Sequence, residues 1–289
     1  MPILPTLFGP RTRSIVSLLH HFSFLSLVLL QNSSEAAKSD STYAYHFCPP
    51  EKNTAAGDLF MYNLAKLFNE KLYNEGSRFL YYNATEGDYP DKVYGLYNCR
   101  FDVSNEVCQG CIKVAIDTIA KNCTGAKKAI VWYDQCMVRF SNSSFPSSPE
   151  TVPRVGLLNT INVTDPYKFS NILAQSFSDL IRNVTSRDSK YPAAAQTVNA
   201  SSIDKLRTLV QCIPYLSKSD CNICLRGSVS EIPNFCYGKR GGQVLTPSCN
   251  IRYELYPFLE DPTTPISRPN NKNGSFDGEF VNLRFLNSI

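Results

Sequence analysis

Residues 99–115 read CRFDVSNEVCQGCIKVA, in which three cysteines are spaced C-x8-C-x2-C. Residues 212–228 read CIPYLSKSDCNICLRGS and carry the same spacing. In both halves of the chain, five successive cysteines are separated by steps of 9, 3, 12 and 13 residues. One register shift therefore superimposes five cysteines on five, which indicates a tandem repeat of roughly 105 residues per unit, the size of a complete domain.

Hydrophobic periodicity predicts the elements of each unit. Residues 58–72 place Phe60, Leu64 and Phe68 on one helical face, and a similar face recurs in the second unit. The predicted helices cover residues 58–72, 105–120 and 169–181. The predicted strands cover residues 78–82, 92–99, 129–133, 136–140, 195–199, 205–212, 243–245 and 249–255. Each unit is therefore expected to be an α+β domain, with helices packed on an antiparallel sheet.

The first residues predict a secretory signal peptide over residues 1–36. Arg11 and Arg13 precede an apolar run, and small residues stand near Ala36, where cleavage is expected. An uncleaved membrane anchor would need about 18 uninterrupted apolar residues, whereas serines and histidines interrupt this run. The predicted product is a soluble protein released outside the cell, in the apoplast. Its predicted parts are a first domain at 42–142, a Ser- and Pro-rich linker at 143–152, a second domain at 153–259 and a flexible tail at 260–289.

Composition argues against several classes of function. The formal net charge is only +4, without a dense basic run, which gives no support to nucleic-acid binding. A nucleophilic Ser or Cys needs an imidazole base, and His46 is the one histidine expected after signal cleavage, so catalysis has little to work with. Each unit has one C-x2-C pair, too few ligands for a zinc site. We expect no enzymatic activity, no bound metal ion and no cofactor.

The cysteines are expected to form structural disulfide bonds, because dense cysteines in an exported protein usually do. Cys108 and Cys111 lie on one helical face, where a bond between them would strain the helix. Cys99 is then a suitable partner for Cys108, and Cys111 for a strand cysteine such as Cys136.

The doubled cysteine spacing, followed at residues 238–258 by GKRGGQVLTPSCNIRYELYPF, resembles the plant ginkbilobin-like domain family, also called the salt stress response/antifungal domain. The resemblance covers about residues 42–259. Tandem forms occur in cysteine-rich repeat secretory proteins, plasmodesmata-located proteins and the ectodomains of cysteine-rich receptor-like kinases. The resemblance implies a sheet of about five antiparallel strands on two helices in each domain. The implied disulfide bonds are Cys48–Cys123, Cys99–Cys108, Cys111–Cys136, Cys212–Cys221 and Cys224–Cys249.

Cys236 is left without a partner, because the second unit has no evident counterpart of Cys48. Three interpretations stay open for it: a buried unreactive thiol, a bond to another chain, and a redox-sensitive thiol.

The family also suggests a carbohydrate site. Its single-domain antifungal member binds mannose through an Asn, an Arg and a Glu, which together offer hydroxyl groups both donors and acceptors. The matching positions of the first unit are Pro49, Ile130 and Ser141, which are the wrong residue types. In the second unit the matches are Asn162 or Asn159, together with Gln243 and Glu254, where Gln lacks the charged fork of Arg.

Asn-x-Ser/Thr triplets predict exposed glycans on an exported chain. The predicted sites are Asn83, Asn142, Asn162, Asn183, Asn199 and Asn273. A glycan on Asn162 would obstruct a sugar pocket there.

The expected function is that of a secreted apoplastic binding protein in plant defence or stress signalling. Its partner would be an extracellular protein, a receptor-kinase ectodomain or a cell-wall carbohydrate. The alternatives are a mannose-binding antifungal lectin acting through the second domain, and a shortened receptor-like kinase without its membrane helix and kinase.

Overall fold

The computed structural model describes residues 41–49, 56–260 and 284–285. The predicted signal peptide and most of the predicted tail lie outside these ranges. Within them, no helix has both the length and the apolar character needed to cross a membrane.

The first domain is one antiparallel sheet with two helices on one face. Its strands are β1 (Tyr43–Phe47), β2 (Tyr81–Glu86), β3 (Val93–Cys99), β4 (Lys128–Tyr133) and β5 (Cys136–Ser141), in the order β1-β4-β5-β3-β2. Helix α1 runs through Asp58–Lys66, a π-helical stretch at Leu67–Leu72 and Tyr73–Glu75, and α2 covers Asn105–Asn122. The Ser104 hydroxyl accepts a hydrogen bond from the Val107 amide at 3.3 Å and so caps the start of α2.

The second domain repeats this arrangement. Its strands are β6 (Val155–Leu158), β7 (Ala193–Asn199), β8 (Lys205–Cys212), β9 (Gly241–Leu245) and β10 (Cys249–Glu254), and its helices are α3 (Pro166–Ser186), α4 (Lys218–Val229) and α5 (Ile232–Phe235). The sheet order is β6-β9-β10-β8-β7, and a two-residue strand, β11 (Arg284–Phe285), pairs with β6 at its edge. Two of the residues placed in the predicted tail are thus part of a sheet.

The prediction of two α+β domains, each with an antiparallel sheet, is confirmed, although several element ends differ. Strand β2 starts three residues later than predicted and continues to Glu86. Helix α3 is longer than predicted at both ends, and its earlier start is explained by Asp165, which caps it, and by Pro166, which is suited to the first turn. These differences lie at element ends, where local signals compete with helix and strand patterns.

Equivalent aromatic clusters fill the space between helices and sheet. In the first domain the Phe140 ring lies 6.4 Å from that of Phe60 and 5.8 Å from that of Phe68. In the second domain Tyr253 takes the same place, 6.0 Å from Phe169 and 6.4 Å from Phe177. Tyr253 and Phe140 are also among the largest fully buried side chains. The helical faces predicted from periodicity are therefore the ones that form the two cores.

The sheet faces turned away from the helices pack against each other. In β5, Val138 and Phe140 belong to the core beneath α1 and α2, whereas Met137 belongs to a cluster shared with the second domain. The first sheet contributes Leu96, Ile130, Trp132 and Met137 to that cluster, and the second contributes Val155, Leu157 and Leu245. Both faces of each sheet are therefore buried over much of their area.

The predicted linker is fastened at this junction. Glu150 forms an ion pair with Arg139 of β5 at 2.6 Å, and its amide donates to the Ser248 hydroxyl at 2.8 Å. The Phe145 ring lies under the Arg139 guanidinium at 4.1 Å. The predicted linker thus contacts both domains.

Candidate functional site

The C-x8-C-x2-C segments attach a helix to the sheet. Cys99 and Cys136 face each other across β3 and β5, and each bonds to α2, at Cys108 and Cys111 respectively. The second domain has the corresponding bonds Cys212–Cys221 and Cys224–Cys249, and the fifth bond is Cys48–Cys123. These are the same five pairs that the family resemblance implies. Among the described residues, no group of His, Cys, Asp and Glu could hold a metal ion.

Cys236 is a free cysteine buried in the second domain. Its thiol lies 3.4 Å from the Ile232 carbonyl oxygen, to which it donates. Burial raises its pKa to about 12, so the group stays protonated at neutral pH. Since the thiolate is the reactive form, this geometry agrees with the interpretation of a buried unreactive thiol.

Strand register explains why Cys236 has no partner. Phe47 pairs with Ile130 in the first sheet, and Leu157 pairs with Gln243 in the same place of the second. Cys48 follows Phe47, and Leu158 follows Leu157, so Leu158 takes the place of Cys48 in the second domain. Leucine provides no sulfur at this position.

The same register corrects the assignment of Asn162 to the sugar site. Asn159, not Asn162, occupies the position equivalent to Pro49. Asn162 lies beyond the strand, where it is exposed and its Oδ1 accepts a hydrogen bond from the Lys239 Nζ at 2.8 Å. Because the second unit lacks the first cysteine, the sequence offered nothing to fix this alignment.

The proposed sugar-binding residues do not form an open site. Asn159, Gln243 and Glu254 are respectively 3%, 5% and 0% exposed. Gln243 lies opposite Arg252, and Glu254 opposite Gly241, on the sheet face that meets the first domain. A sugar cannot reach carboxylate or amide groups inside this junction, so the structure does not support the predicted mannose site.

Glu254 belongs instead to an ionic group between the domains. Its Oε1 accepts from the Arg252 Nε at 3.2 Å, and the Arg252 Nη1 lies 3.1 Å from the Asp134 Oδ2 of the first domain. Burial raises the pKa of Glu254 to about 7 although the Arg252 guanidinium opposes this shift. The carboxyl group therefore titrates near neutral pH.

Aromatic and amide contacts extend this junction. The Phe258 ring lies 4.5 Å from the Arg252 guanidinium and 5.8 Å from that of Arg100, one residue from each domain. The Gln211 side chain donates to the Cys99 carbonyl oxygen at 2.8 Å and accepts from the Phe101 amide at 3.2 Å. The two domains are thus held by directional contacts as well as by apolar packing. These contacts could not be predicted from the sequence, because polar residues at alternate strand positions are typical of a solvated face.

Most predicted glycosylation sites that the structure describes are exposed. Asn83, Asn142, Asn162 and Asn199 are exposed, and Asn183 is half-buried. Asn273 lies outside the described residues. His46, considered as a catalytic base, shares a hydrogen bond with the Tyr43 hydroxyl, with the ring Nδ1 and Oη 2.6 Å apart.

Known proteins similar to this chain include a family of domains and several cysteine-rich plant proteins. The family model described as salt stress response/antifungal matches residues 31–143 and 158–256. The chain is 35% identical to cysteine-rich repeat secretory protein 38 of Arabidopsis thaliana, over 76% of this chain and 87% of that protein. It is 35% identical to the antimicrobial ginkbilobin-2-like protein of Castanea crenata, over 75% of this chain and 88% of that protein.

A receptor-like kinase and an ectodomain of known structure are also similar to this chain. Cysteine-rich receptor-like protein kinase 25 of Arabidopsis thaliana is 34% identical over 89% of this chain, and the match spans 38% of the kinase's length. The crystal structure of the tandem DUF26 ectodomain of the Arabidopsis thaliana receptor-like protein PDLP8 covers 75% of this chain and 99% of its own, with a TM-score of 0.64 and 25% identity.

Proposed function

The chain belongs to the salt stress response/antifungal family, and on this premise we propose that it is a secreted binding protein of the plant extracellular space. It would recognise a protein or a cell-wall ligand in defence or stress signalling. Its two domains would act as one body rather than as two independent binding modules.

The observation that carries this proposal is the junction between the two sheets. The inner sheet faces pack together around Trp132 and Leu245, and the Arg252–Asp134 ion pair joins the domains within this contact. Recognition must then use the outer surfaces of the helices and loops. Such a fixed pair of domains presents a larger continuous surface than either domain alone, and stable protein interfaces bury roughly 800 Å² on each partner.

Secretion is supported by the chemistry of the chain. Ten of the eleven cysteines are in disulfide bonds, which persist in oxidising compartments. The exposed Asn-x-Ser/Thr triplets at Asn83, Asn142 and Asn199 are open to glycosylation. A relative that carries the words repeat secretory protein in its name points the same way.

Growth inhibition of fungi is the second candidate, favoured by the similarity to an antimicrobial protein. Gln243 and Glu254 are buried, so this activity would not use the predicted mannose site. Glu254→Gln should then leave fungal growth inhibition unchanged, whereas a loss of inhibition without a change in folding would favour the lectin hypothesis.

The proposal is tested by expressing the full chain with a C-terminal fluorescent tag in plant cells. We expect tagged protein in the apoplastic wash fluid, with a mass that decreases on glycosidase treatment. Matched variants with Asn83→Gln, Asn142→Gln or Asn199→Gln should show which triplets carry glycans. Retention of unglycosylated protein in the cytosol would contradict secretion.

Binding is tested with the purified, disulfide-intact chain on plant cell-wall extract. The control is the same protein after reduction and alkylation, which removes the bonds that hold α2 and α4 on their sheets. Saturable retention of the intact protein alone supports a binding role. Equal retention of both forms would mean nonspecific adhesion and would contradict it.

A further inference from the structure

An apolar pocket of about 160 Å³ opens on the second domain, beside the free cysteine. One wall is helix α3, which contributes Phe169, Leu173 and Phe177. The other walls include Ile232 of α5 and Tyr253 of β10. All five of these side chains are less than a tenth exposed, so the pocket is set into the core rather than on a flat surface.

Three polar side chains that line this pocket already have partners within the protein. The Tyr253 hydroxyl donates to the carbonyl oxygen of Cys236 at 3.1 Å. The Ser170 hydroxyl donates to the Pro166 carbonyl oxygen at 2.7 Å. The Cys236 thiol donates to the Ile232 carbonyl oxygen. A polar ligand would therefore lose its water without gaining strong hydrogen bonds, which favours an apolar occupant.

The size of the pocket sets the size of the occupant. Ligand pockets for drug-sized molecules measure roughly 300–1,000 Å³, so this one is too small for such a molecule as a whole. A cavity of about 150 Å³ lined by Leu, Ile and Phe stays dry and accepts a benzene ring. One aromatic ring, or an alkyl group of similar volume, matches this space.

One exposed aromatic side chain stands at the mouth. Tyr237, which lines the pocket, is 54% exposed. Gly238 also lines the pocket, and a Cβ atom there would lie 3.2 Å from Pro166 at the start of α3. The apolar surface thus continues outward from the pocket, which suits a ring attached to a larger molecule.

We propose that this pocket binds the aromatic ring of a small extracellular molecule, with the ring inserted between α3 and α5. This names a ligand class for the binding role proposed above and rests on that role for its biological setting. The pocket itself is tested on purified protein, so failure of secretion and failure of ring binding are separate results.

The test uses benzene as the probe and the full, disulfide-intact chain. Isothermal titration calorimetry should show saturable binding, and benzene should raise the melting temperature. In nuclear magnetic resonance spectra, benzene protons should show Overhauser contacts with the methyl groups of Leu173 and Ile232. No saturable binding, or contacts confined to other residues, would overturn the proposal.

A filling variant locates the site. Ala174 lines the pocket and is exposed, so Ala174→Phe places a ring at the mouth with little effect on the core. The matched control is Ala65→Phe, because Ala65 follows Leu64 in α1 as Ala174 follows Leu173 in α3. We expect Ala174→Phe to weaken benzene binding at least tenfold and Ala65→Phe to leave it unchanged. Equal affinity of both variants and the unmodified protein would place the binding elsewhere and overturn the proposal.

Discussion

Arg252 of the second domain lies 3.1 Å from Asp134 of the first, measured between Nη1 and Oδ2. Arg252 also contacts Glu254 of its own strand, and it is only 2% exposed. A buried guanidinium with two carboxylates needs precise partners, because each group loses its hydration. The three charged side chains therefore fix how the two sheets meet, while the apolar side chains around them provide most of the buried contact area.

Removing the arginine should destabilise the protein strongly at pH 8, where Glu254 is ionised. We expect Arg252→Met to lower the free energy of unfolding by about 3–5 kcal/mol, because it leaves two carboxylates near the junction without their cation. Urea unfolding followed by fluorescence measures this value. The control is Arg182→Met, whose ion pair with Asp179 lies on the surface and should contribute less than about 1 kcal/mol. Equal losses for the two variants would contradict the importance of the junction.

Glu254 should make the protein less stable as the pH rises towards neutrality. Burial raises its folded-state pKa to about 7, above the value near 4.5 of the unfolded chain. The folded state therefore holds a proton that the unfolded state releases between these values, so the contribution of Glu254 to stability decreases over that range. The decrease should amount to about 3 kcal/mol between pH 4 and pH 8.

The measurement compares the unfolding free energy of the unmodified protein and Glu254→Gln across that pH range. Glutamine keeps the shape of the side chain but does not titrate, so its curve should be flatter with rising pH. Parallel curves would show that Glu254 does not carry the pH dependence.

The cysteine repeat and the helical faces were enough to predict two similar α+β domains, whereas the number of strands and the full set of disulfide pairs were implied by the family resemblance. Cys99 and Cys136 face each other in β3 and β5, and Cys212 and Cys249, which have the same separation in sequence, face each other in β8 and β10. The repeated cysteine spacing therefore corresponds to a repeated strand pair. The role of Glu254 could not be predicted in this way. A carboxylate at an alternate strand position looks the same in sequence whether water or a second domain lies over it. Asn159 was left open for a related reason, since only strand pairing aligns it with Pro49.

Cys236 should resist alkylation in the folded protein. Its pKa is raised to about 12 by burial, so at pH 8 the thiolate should be on the order of 1,000-fold rarer than for an exposed cysteine. Iodoacetamide should modify no thiol under native conditions and one thiol per chain in guanidinium chloride. Rapid native labelling would instead favour the redox-sensitive interpretation, and a disulfide-linked dimer would favour an interchain bond.

Leu158→Cys should create the disulfide bond that the second domain lacks. Leu158 pairs with Gly242, and a Cβ atom on Gly242 would lie 2.8 Å from the Cys236 sulfur, so position 158 is next to the thiol. In the first domain the equivalent pair, Cys48 and Cys123, has Cα atoms 5.7 Å apart, within the range that a disulfide spans. Closing a loop of about 80 residues should stabilise the protein by about 4 kcal/mol.

The readout of this variant is a thiol count in denaturant together with the melting temperature. The unmodified chain should show one free thiol, Leu158→Cys none, and the control Leu158→Ser one. The melting temperature of Leu158→Cys should be higher than that of the unmodified chain. On mild reduction it should fall to about that of Leu158→Ser, because the new disulfide bond is what constrains one variant and not the other. Two free thiols in Leu158→Cys would show that β6 does not hold position 158 beside Cys236, and would contradict the register from which Asn159 was aligned with Pro49.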